Sequence, residues 1–227
     1  ITPAIYTSST YAQQAPGEHQ GFEYSRAQNP TRFAFERCIA DLESGSRGFA
    51  FASGLAAINA VLELLEPQAH LILADDVYGG TFRLIDSIKK RSQGLAYSIV
   101  DTTDINQIKQ AITPQTKLIW IETPSNPMLK ISDLKAIADL AKAHNIMTVC
   151  DSTFATPILQ RPLEFGIDIV MHSATKYLNG HCDIINGVLV VEQPHLCEQL
   201  EFIQYAQGAV ASPFDCYLAL RGLKTLA

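Results

Sequence analysis

Two features that would point to a nucleic acid or a membrane are missing from this sequence. The chain has 17 Lys and Arg against 23 Asp and Glu, a net charge of -6, so it lacks the basic excess of a nucleic-acid-binding surface. No uncharged apolar run is long enough to cross a bilayer, and no signal peptide is recognised. We therefore expect neither a nucleic acid nor a membrane as a partner.

Cysteine is scarce and scattered. The five cysteines, among them Cys150 and Cys182, show neither the paired spacing of a metal knuckle nor that of a disulfide framework. We therefore expect no metal site, reduced thiols and a cytoplasmic protein. Internal repeats and low-complexity tracts are also missing, and 227 residues with 47% apolar side chains are enough for a sizeable core.

What the sequence does contain is an alternation of short apolar runs with segments of helical spacing. Apolar runs of five or six residues are typical of strands buried on both faces. Repeated strand and helix patterns predict an α/β fold with a mostly parallel sheet. The predicted strands are 48–52, 70–74, 95–100, 117–121, 146–151, 167–172 and 187–191, and the predicted helices are 31–43, 55–65, 82–91, 105–112, 134–144 and 214–220.

The first 32 residues differ from the rest. They lack sustained periodicity and are rich in Thr, Ser, Gln, Gly and Pro, which predicts an extended arm. Such an arm buries too little of its own surface to stay ordered alone, so we expect it to lie on another surface, often a partner subunit. Residues 33–227 are assigned to one large domain.

Polar side chains gather where the predicted strands end. If the sheet is parallel, these residues share one rim, which is where open α/β sheets bind ligands. The turn at Ser53-Gly54 lies between a strand and a helix, a layout that suits an anion, although a plain N-cap serine explains it equally well. The rim residues are Ser53, Gly54, Tyr78, Glu122, Asn126, Asp151, Ser173, Thr175 and Lys176.

One cofactor requires this combination of groups. Pyridoxal 5'-phosphate has a phosphate, a flat ring, a ring nitrogen that must stay protonated and an aldehyde that condenses with a lysine. Lys176 stands where a predicted buried strand ends and a loop begins. A lone lysine there is usually a surface residue, whereas a buried amine is a candidate for Schiff-base chemistry because desolvation lowers its pKa. A nicotinamide-binding domain is disfavoured, because the turn at Ser53-Gly54 is not a G-x-G-x-x-G turn.

Several stretches of the chain resemble the Cys/Met-metabolism enzymes that depend on pyridoxal phosphate. This family includes cystathionine γ-lyase, cystathionine γ-synthase, cystathionine β-lyase and methionine γ-lyase. The resemblance covers essentially the whole chain, and several long motifs together are very specific. The matching stretches are 23–26 (EYSR), 29–31 (NPT), 51–57 (FASGLAA), 76–81 (DVYGGT), 122–127 (ETPSNP), 173–181 (SATKYLNGH) and 221–226 (RGLKTL).

The resemblance implies an overall architecture. The family fold is the type I fold of pyridoxal-phosphate enzymes, as in aspartate aminotransferase. It has an N-terminal arm, a large domain with a mainly parallel seven-stranded sheet, and a small C-terminal domain. In the family, Tyr24 and Arg26 would reach the phosphate of a neighbouring subunit, so a homodimer is the smallest expected active unit and a dimer of dimers is usual. The small domain is expected to lie beyond Ala227.

The resemblance also implies roles for individual residues. Lys176 is expected to bind the cofactor aldehyde and to transfer protons, Asp151 to hold the ring nitrogen, and Tyr78 to stack on the ring and assist the exchange of amines. Asn126 is expected near the phenolic oxygen or the substrate carboxylate. The full expected cofactor-binding set is Tyr24, Arg26, Ser53, Gly54, Leu55, Tyr78, Asn126, Asp151, Thr153, Ser173, Thr175 and Lys176.

Within the family, the motifs most resemble those of cystathionine γ-lyases. That activity turns L-cystathionine into cysteine, 2-oxobutanoate and ammonia. Methionine γ-lyases typically carry a cysteine where this chain has Gly80, so that activity is disfavoured. Cystathionine γ-synthase, which joins an O-acylated homoserine to cysteine, and cystathionine β-lyase stay open. So does a cofactor-binding module without turnover, since the arginine that holds the substrate carboxylate is expected in the small domain.

Two positions depart from the usual family pattern. Ser152 stands where the family usually has Asn, and Cys182 where it usually has Ser. Both replacements roughly keep size and polarity, so we expect them to tune the site and not to abolish it.

Overall fold

The computed structural model describes residues 2–227. Residue 1, which the predicted arm includes, lies outside the described residues. In the part of the chain that the structure describes, no helix has both the length and the apolar character needed to cross a membrane.

The strands form a central sheet and one small hairpin. They are β1 (Gln13–Ala15), β2 (Glu18–His19), β3 (Arg47–Phe51), β4 (His70–Ala74), β5 (Ala96–Val100), β6 (Thr116–Glu122), β7 (Met147–Asp151), β8 (Ile169–His172) and β9 (Gly187–Val191). The central sheet has the order β3-β9-β8-β7-β6-β4-β5, and only β9 runs antiparallel to its neighbours. β3 therefore points in the same direction as β8. This confirms the predicted α/β fold with a mainly parallel, seven-stranded sheet.

Helices cover both faces of this sheet. They are α1 (Pro30–Leu42), α2 (Gly54–Leu62), α3 (Gly79–Arg83), α4 (Lys90–Ser92), α5 (Ile105–Ala111), α6 (Leu134–Ala143), α7 (Thr156–Leu159), α8 (Pro194–Gln207) and α9 (Pro213–Leu223). A π-helical segment, Leu84–Lys89, joins α3 to α4, and a 3₁₀ turn, Pro162–Phe165, precedes β8. The predicted helix 82–91 is wrong in two respects. The helical backbone begins earlier, at Gly79, and the middle of the segment is π-helical and not α-helical. Helices α7 and α8 were not predicted.

Alternation along the strands assigns each residue to one of two faces. We call the side that packs on α2 and α8 the front face; its core includes Phe51, Trp120, Val149 and Met171. The reverse face packs on α1 and α9 at one end and on α5 and α6 at the other. Because side chains of a strand alternate between faces, the next front-face positions at the carboxyl edge are residues 53, 122, 151 and 173.

The arm has more structure than predicted. Strands β1 and β2 form a short antiparallel hairpin around Gly17, whose φ of 80° is in the left-handed region that favours glycine. The buried guanidinium of Arg32 in α1 donates to the backbone carbonyls of Ser25 and Ala27, at 2.7 and 2.8 Å. These bonds tie the stretch before α1 to the first turn of that helix. The division into an arm at 1–32 and a domain at 33–227 stays a prediction.

Candidate active site

A cavity opens at the carboxyl edge of the sheet, above the front face. Its volume is about 360 Å³, which lies in the usual range for small-molecule sites. Every predicted cofactor-binding residue except Tyr24 and Arg26 lines it. The lining residues are Ser53, Gly54, Leu55, Ile58, Tyr78, Glu122, Pro124, Asn126, Asp151, Thr153, Phe154, Met171, Ser173, Thr175, Lys176 and Ile185.

One corner of the cavity presents hydrogen-bond donors for an anion. Ser53 caps α2 by accepting a hydrogen bond from the Ala56 N–H at 3.1 Å, and Gly54 and Leu55 are the first two helical residues. The first N–H groups of a helix have no acceptor within the helix and carry partial positive charge. A Cβ atom at Gly54 would lie only 3.2 Å from Cβ and Oγ of Ser173, so glycine lets the helix start approach the Ser173 turn closely.

A buried carboxylate lies at another wall of the cavity. Asp151 is 6% exposed, and its Oδ1 accepts hydrogen bonds from Thr153 N–H at 3.0 Å and Thr153 Oγ1 at 2.5 Å. The same Thr153 hydroxyl accepts from the Ser173 N–H at 2.9 Å, so it joins the ends of β7 and β8. Burial raises the pKa of Asp151, although the bonds from Thr153 oppose the rise. A cation placed against this carboxyl would favour its ionised form.

A second acid, Glu122, lies beside Asp151. The two residues are paired across β6 and β7, and Glu122 is also 6% exposed. Burial, followed by the negative charges of Asp151 and Asp76, raises the pKa of Glu122 to about 8. Its Oε2 accepts a hydrogen bond from the backbone N–H of Tyr78 at 2.7 Å. The sequence pointed to Glu122 as a strand-end acid, but it gave the residue no role.

Lys176 lies in the turn after β8. Its backbone N–H donates to the Ser173 carbonyl at 3.0 Å, while the Thr175 backbone and hydroxyl bond to Asn186. Of the two alternatives for this lysine, a buried amine and a surface residue, the structure shows the second, because the Lys176 side chain is exposed. This turn carries residue 176 beyond the end of the buried strand, so the lysine borders the cavity and not the core.

Two aromatic rings and one amide border the same space. Tyr78 precedes α3 and is 48% exposed, and Asn126 lies in the loop after β6. Phe154 packs edge-on against Tyr177, with ring centroids 5.9 Å apart. The sequence gave no signal for Phe154 or Ile185, because an apolar residue in a loop does not reveal whether it faces a cavity.

Tyr24 and Arg26 lie outside the cavity. The Arg26 guanidinium donates to the Tyr205 carbonyl of α8 at 2.7 Å and lies 4.5 Å from the centroid of the Tyr205 ring. It also lies 5.2 Å from the Tyr24 ring. Their expected place at the phosphate of a neighbouring subunit stays a prediction.

The groups that the cavity brings together fit pyridoxal phosphate. Helix N–H groups and hydroxyls suit a phosphate, the Tyr78 ring suits a flat heterocycle, and the Lys176 amine suits an aldehyde. Asp151 completes the set, because a buried carboxylate that already accepts two bonds on one oxygen can bind a protonated ring nitrogen with the other. All five cysteines are free thiols, and residues 2–227 contain no cluster of His, Cys, Asp and Glu suited to a metal ion.

Comparison with known proteins agrees with this chemistry. The profile of the Cys/Met metabolism PLP-dependent enzymes matches residues 1–227. The chain is 63% identical over 228 residues to the cystathionine beta-lyase of Coxiella burnetii, a match that covers 100% of this chain and 59% of that protein.

Two solved structures have nearly the same fold. Cystathionine gamma-lyase from Lactobacillus plantarum, complexed with L-serine, superposes with a TM-score of 0.96 at 51% identity, covering 99% of this chain and 58% of that one. Cystathionine gamma synthase from Xanthomonas oryzae pv. oryzae, in complex with aminoacrylate and cysteine, gives a TM-score of 0.96 at 41% identity, covering 100% of this chain and 58% of that one.

These relatives carry three different activity names, so they establish a common enzyme class and not one reaction. The chain spans about 59% of the length of the Coxiella relative. The family profile extends over every residue of the chain, and the cavity holds the groups that its cofactor requires. The chain belongs to the Cys/Met metabolism family of enzymes, which depend on pyridoxal 5'-phosphate.

Proposed function

We propose that this chain is the cofactor-binding part of a carbon–sulfur lyase that breaks the Cγ–S bond of L-cystathionine. The observation that supports this most directly is the meeting of Lys176, Asp151 and the Ser53–Ser173 corner around one cavity. The preference for the γ bond rests on the motif resemblance. The products would be cysteine, 2-oxobutanoate and ammonia.

The phosphate and the ring would be held by different parts of the cavity. The N–H groups of Gly54 and Leu55, with the hydroxyls of Ser53, Ser173 and Thr175, would bind the phosphate. Tyr78 would lie on the ring, and Asn126 would meet its phenolic oxygen or the substrate carboxylate.

Asp151 and Thr153 would keep a proton on the ring nitrogen. The two bonds from Thr153 fix the direction of the carboxylate, so that its other oxygen can accept from that nitrogen. When bound, pyridoxal phosphate supplies an aldehyde that takes up the substrate amine and a ring that draws electrons from Cα.

Lys176 would hold the cofactor and then move protons. Its amine, at the edge of the cavity, would be placed to accept the proton from Cα of a bound amino acid. Its exposed place at the edge of the cavity is consistent with a group that must leave one partner and reach another.

A second reaction, cleavage of the Cβ–S bond, is favoured by the 63% identity to a protein named cystathionine beta-lyase. It would release homocysteine, pyruvate and ammonia. The cavity lining alone does not distinguish the two bonds, since both reactions begin with proton loss at Cα.

An activity panel separates these reactions. The chain, loaded with pyridoxal phosphate, is given cystathionine, methionine, or an O-acylated homoserine with cysteine, and the keto acid or cystathionine formed is identified. 2-Oxobutanoate from cystathionine supports the proposal, whereas pyruvate supports the β reaction. New cystathionine identifies a γ-synthase, and a yellow protein without product identifies a binding module. Lys176→Ala is the matched control.

Three further expectations belong to the same proposal. The active unit is at least a homodimer, and usually a dimer of dimers, in which Tyr24 and Arg26 reach the neighbouring phosphate. An amino acid is the small-molecule substrate. A cytoplasmic location is predicted from the scattered cysteines.

A further inference from the structure

The Tyr78 ring needs more than core packing to keep its position. It is 48% exposed, and it stands at the start of α3, where no side chain caps the helix. A half-exposed ring on a loop has several rotamers open to it. Something in the surrounding structure must therefore restrict the loop if the ring is to cover the cavity.

The carboxyl of Glu122 restricts the backbone at this point. Its Oε2 accepts a hydrogen bond from the Tyr78 N–H at 2.7 Å. Glu122 is 6% exposed and projects from the end of β6, which pairs directly with β4. One buried carboxyl therefore joins the end of β6 to the loop that carries Tyr78 into the cavity lining.

A second carboxylate supports the same connection. Asp76, in the loop after β4, accepts from the Ser125 hydroxyl at 2.5 Å and from the Met128 N–H at 2.9 Å. The loop after β4 is thus linked both to β6 and to the loop that follows β6. Loss of one link leaves the other, so the loop should stay folded when Glu122 is changed.

Gly80 leaves room for the ring. A Cβ atom at this position would overlap Cε1 of Tyr78 and lie only 3.0 Å from its Cδ1 and Cζ atoms. The ring therefore lies against the backbone of residue 80. A side chain at residue 80 would require the ring or its loop to shift from this position, even though the φ angle there would accept one.

We propose that Glu122 is a positioning residue that fixes the Tyr78 ring over the cavity through the Tyr78 backbone N–H, and that Gly80 supplies the space against which the ring lies. The proposal rests on the proposed function, because the ring acts there on bound pyridoxal phosphate. Neither residue needs to touch the reacting atoms.

The test is a double-mutant cycle read by cofactor affinity. Pyridoxal phosphate is titrated into the cofactor-free chain, and the dissociation constant is measured by absorbance for Glu122→Ala, Tyr78→Ala and the double variant. Ring stacking contributes about 0.5–1.5 kcal/mol, so Glu122→Ala should weaken binding roughly 2- to 12-fold. In the Tyr78→Ala background the same change should have almost no effect.

Matched variants separate positioning from general damage. Glu122→Gln keeps an oxygen that accepts from the Tyr78 N–H, so it should restore affinity to within about 2-fold of wild type. Gly80→Ala should weaken binding like Glu122→Ala, and also only when Tyr78 is present. Glu164→Ala, at an exposed acid that bonds Ser44 on the surface, should bind like the wild type. If Glu122→Ala does not fold, Gly80→Ala takes its place in the cycle.

The outcomes divide clearly. An equal loss of affinity with and without Tyr78 would overturn the positioning role and leave the proposed function intact. Wild-type affinity in folded Glu122→Ala would do the same. A wild-type chain that binds no pyridoxal phosphate at Lys176 would overturn both proposals together.

Discussion

The carboxyl edge of the sheet carries ionisable side chains on its front and reverse faces, in very different surroundings. On the front face, Glu122 and Asp151 line a cavity of about 360 Å³. On the reverse face, Glu43 and His172 are fully buried and contact each other at 2.6 Å between Oε1 and Nε2. The front pair can meet a ligand, whereas the reverse pair meets only its own partner and the packed interior.

Side chains alternate between the two faces of a strand, so the odd or even position of a residue, which we call its parity, decides what surrounds it. Asp151 shares the front face with Val149, which packs on the α2 side, while His172 shares the reverse face with Val170. His172 and Ser173 are neighbours in sequence but project to opposite sides. A polar residue at the end of a strand is therefore a candidate ligand only if its parity places it at the cavity.

The largest effect is expected at Lys176 on the cavity side. In Lys176→Ala, borohydride should no longer attach pyridoxal phosphate to the chain, and activity should fall by at least the roughly 10²–10⁴-fold that proton transfer alone contributes. Peptide mapping after reduction measures this. Lys135→Ala, in an exposed pair with Asp139 on α6, is the control and should label like the wild type. Label on another lysine would contradict the assignment.

A substitution on the reverse face should lower the unfolding free energy and leave cofactor binding unchanged. Glu43→Ala leaves the buried His172 ring without its hydrogen-bond partner, and leaving a buried polar group unsatisfied typically costs about 1–3 kcal/mol of unfolding free energy. Urea unfolding measures the loss. Glu201→Ala removes an exposed partner of Arg47 and should cost about 0–1 kcal/mol. If Glu43→Ala weakened cofactor binding with stability unchanged, the division between the two faces would be wrong.

A smaller effect is expected when pH is varied in the cofactor-free chain. The pKa of Glu122 rises from 4.5 to about 8 on folding, so the native state holds a proton that the unfolded chain releases. The unfolding free energy should therefore decrease as pH rises from about 4.5 to about 8. Glu122→Gln, which does not titrate, should decrease less steeply over that range. Some slope should remain, because burial also raises the pKa of Asp151. Equal slopes in the two proteins would contradict this account.

The smallest effect on stability is expected in the arm. Arg26→Ala removes a cation–π contact with Tyr205 and should cost about 0.5–1 kcal/mol. If Arg26 reaches a neighbouring phosphate, cofactor affinity should also fall, and only at protein concentrations where the chain self-associates. Arg37→Ala, exposed on α1, is the control. Unchanged affinity at every concentration would exclude the expected role of Arg26.

The sheet and most of the residues that line the cavity could be predicted from the sequence. Residues after parallel strands meet at one edge whatever the loops do, so Ser53, Asp151 and Ser173 could be brought together from order alone. Parity would also have placed Glu122 and His172 on opposite faces of the sheet. That prediction needs the exact strand bounds, and the apolar runs in the sequence give those bounds only to within a residue or two.

Other features depend on contacts that no local pattern contains. Helix α8 was missed because only Leu196, Leu200 and Gln204 are buried, a stripe too narrow to recognise. The course of the arm depends on tertiary contacts such as the bond from the Arg26 guanidinium to the Tyr205 carbonyl of α8, which the arm's own sequence does not reveal. The exposure of Lys176 depends on the turn that follows β8, and a strand prediction does not describe that turn.

Trp120 gives the chain a built-in optical probe. It is the single tryptophan, fully buried on the front face two residues before Glu122, directly beneath the cavity. A chromophore bound above it would absorb part of its emission by energy transfer, so the ultraviolet-excited fluorescence of the chain should dim as the cavity fills. Occupancy could then be followed in real time without any attached dye.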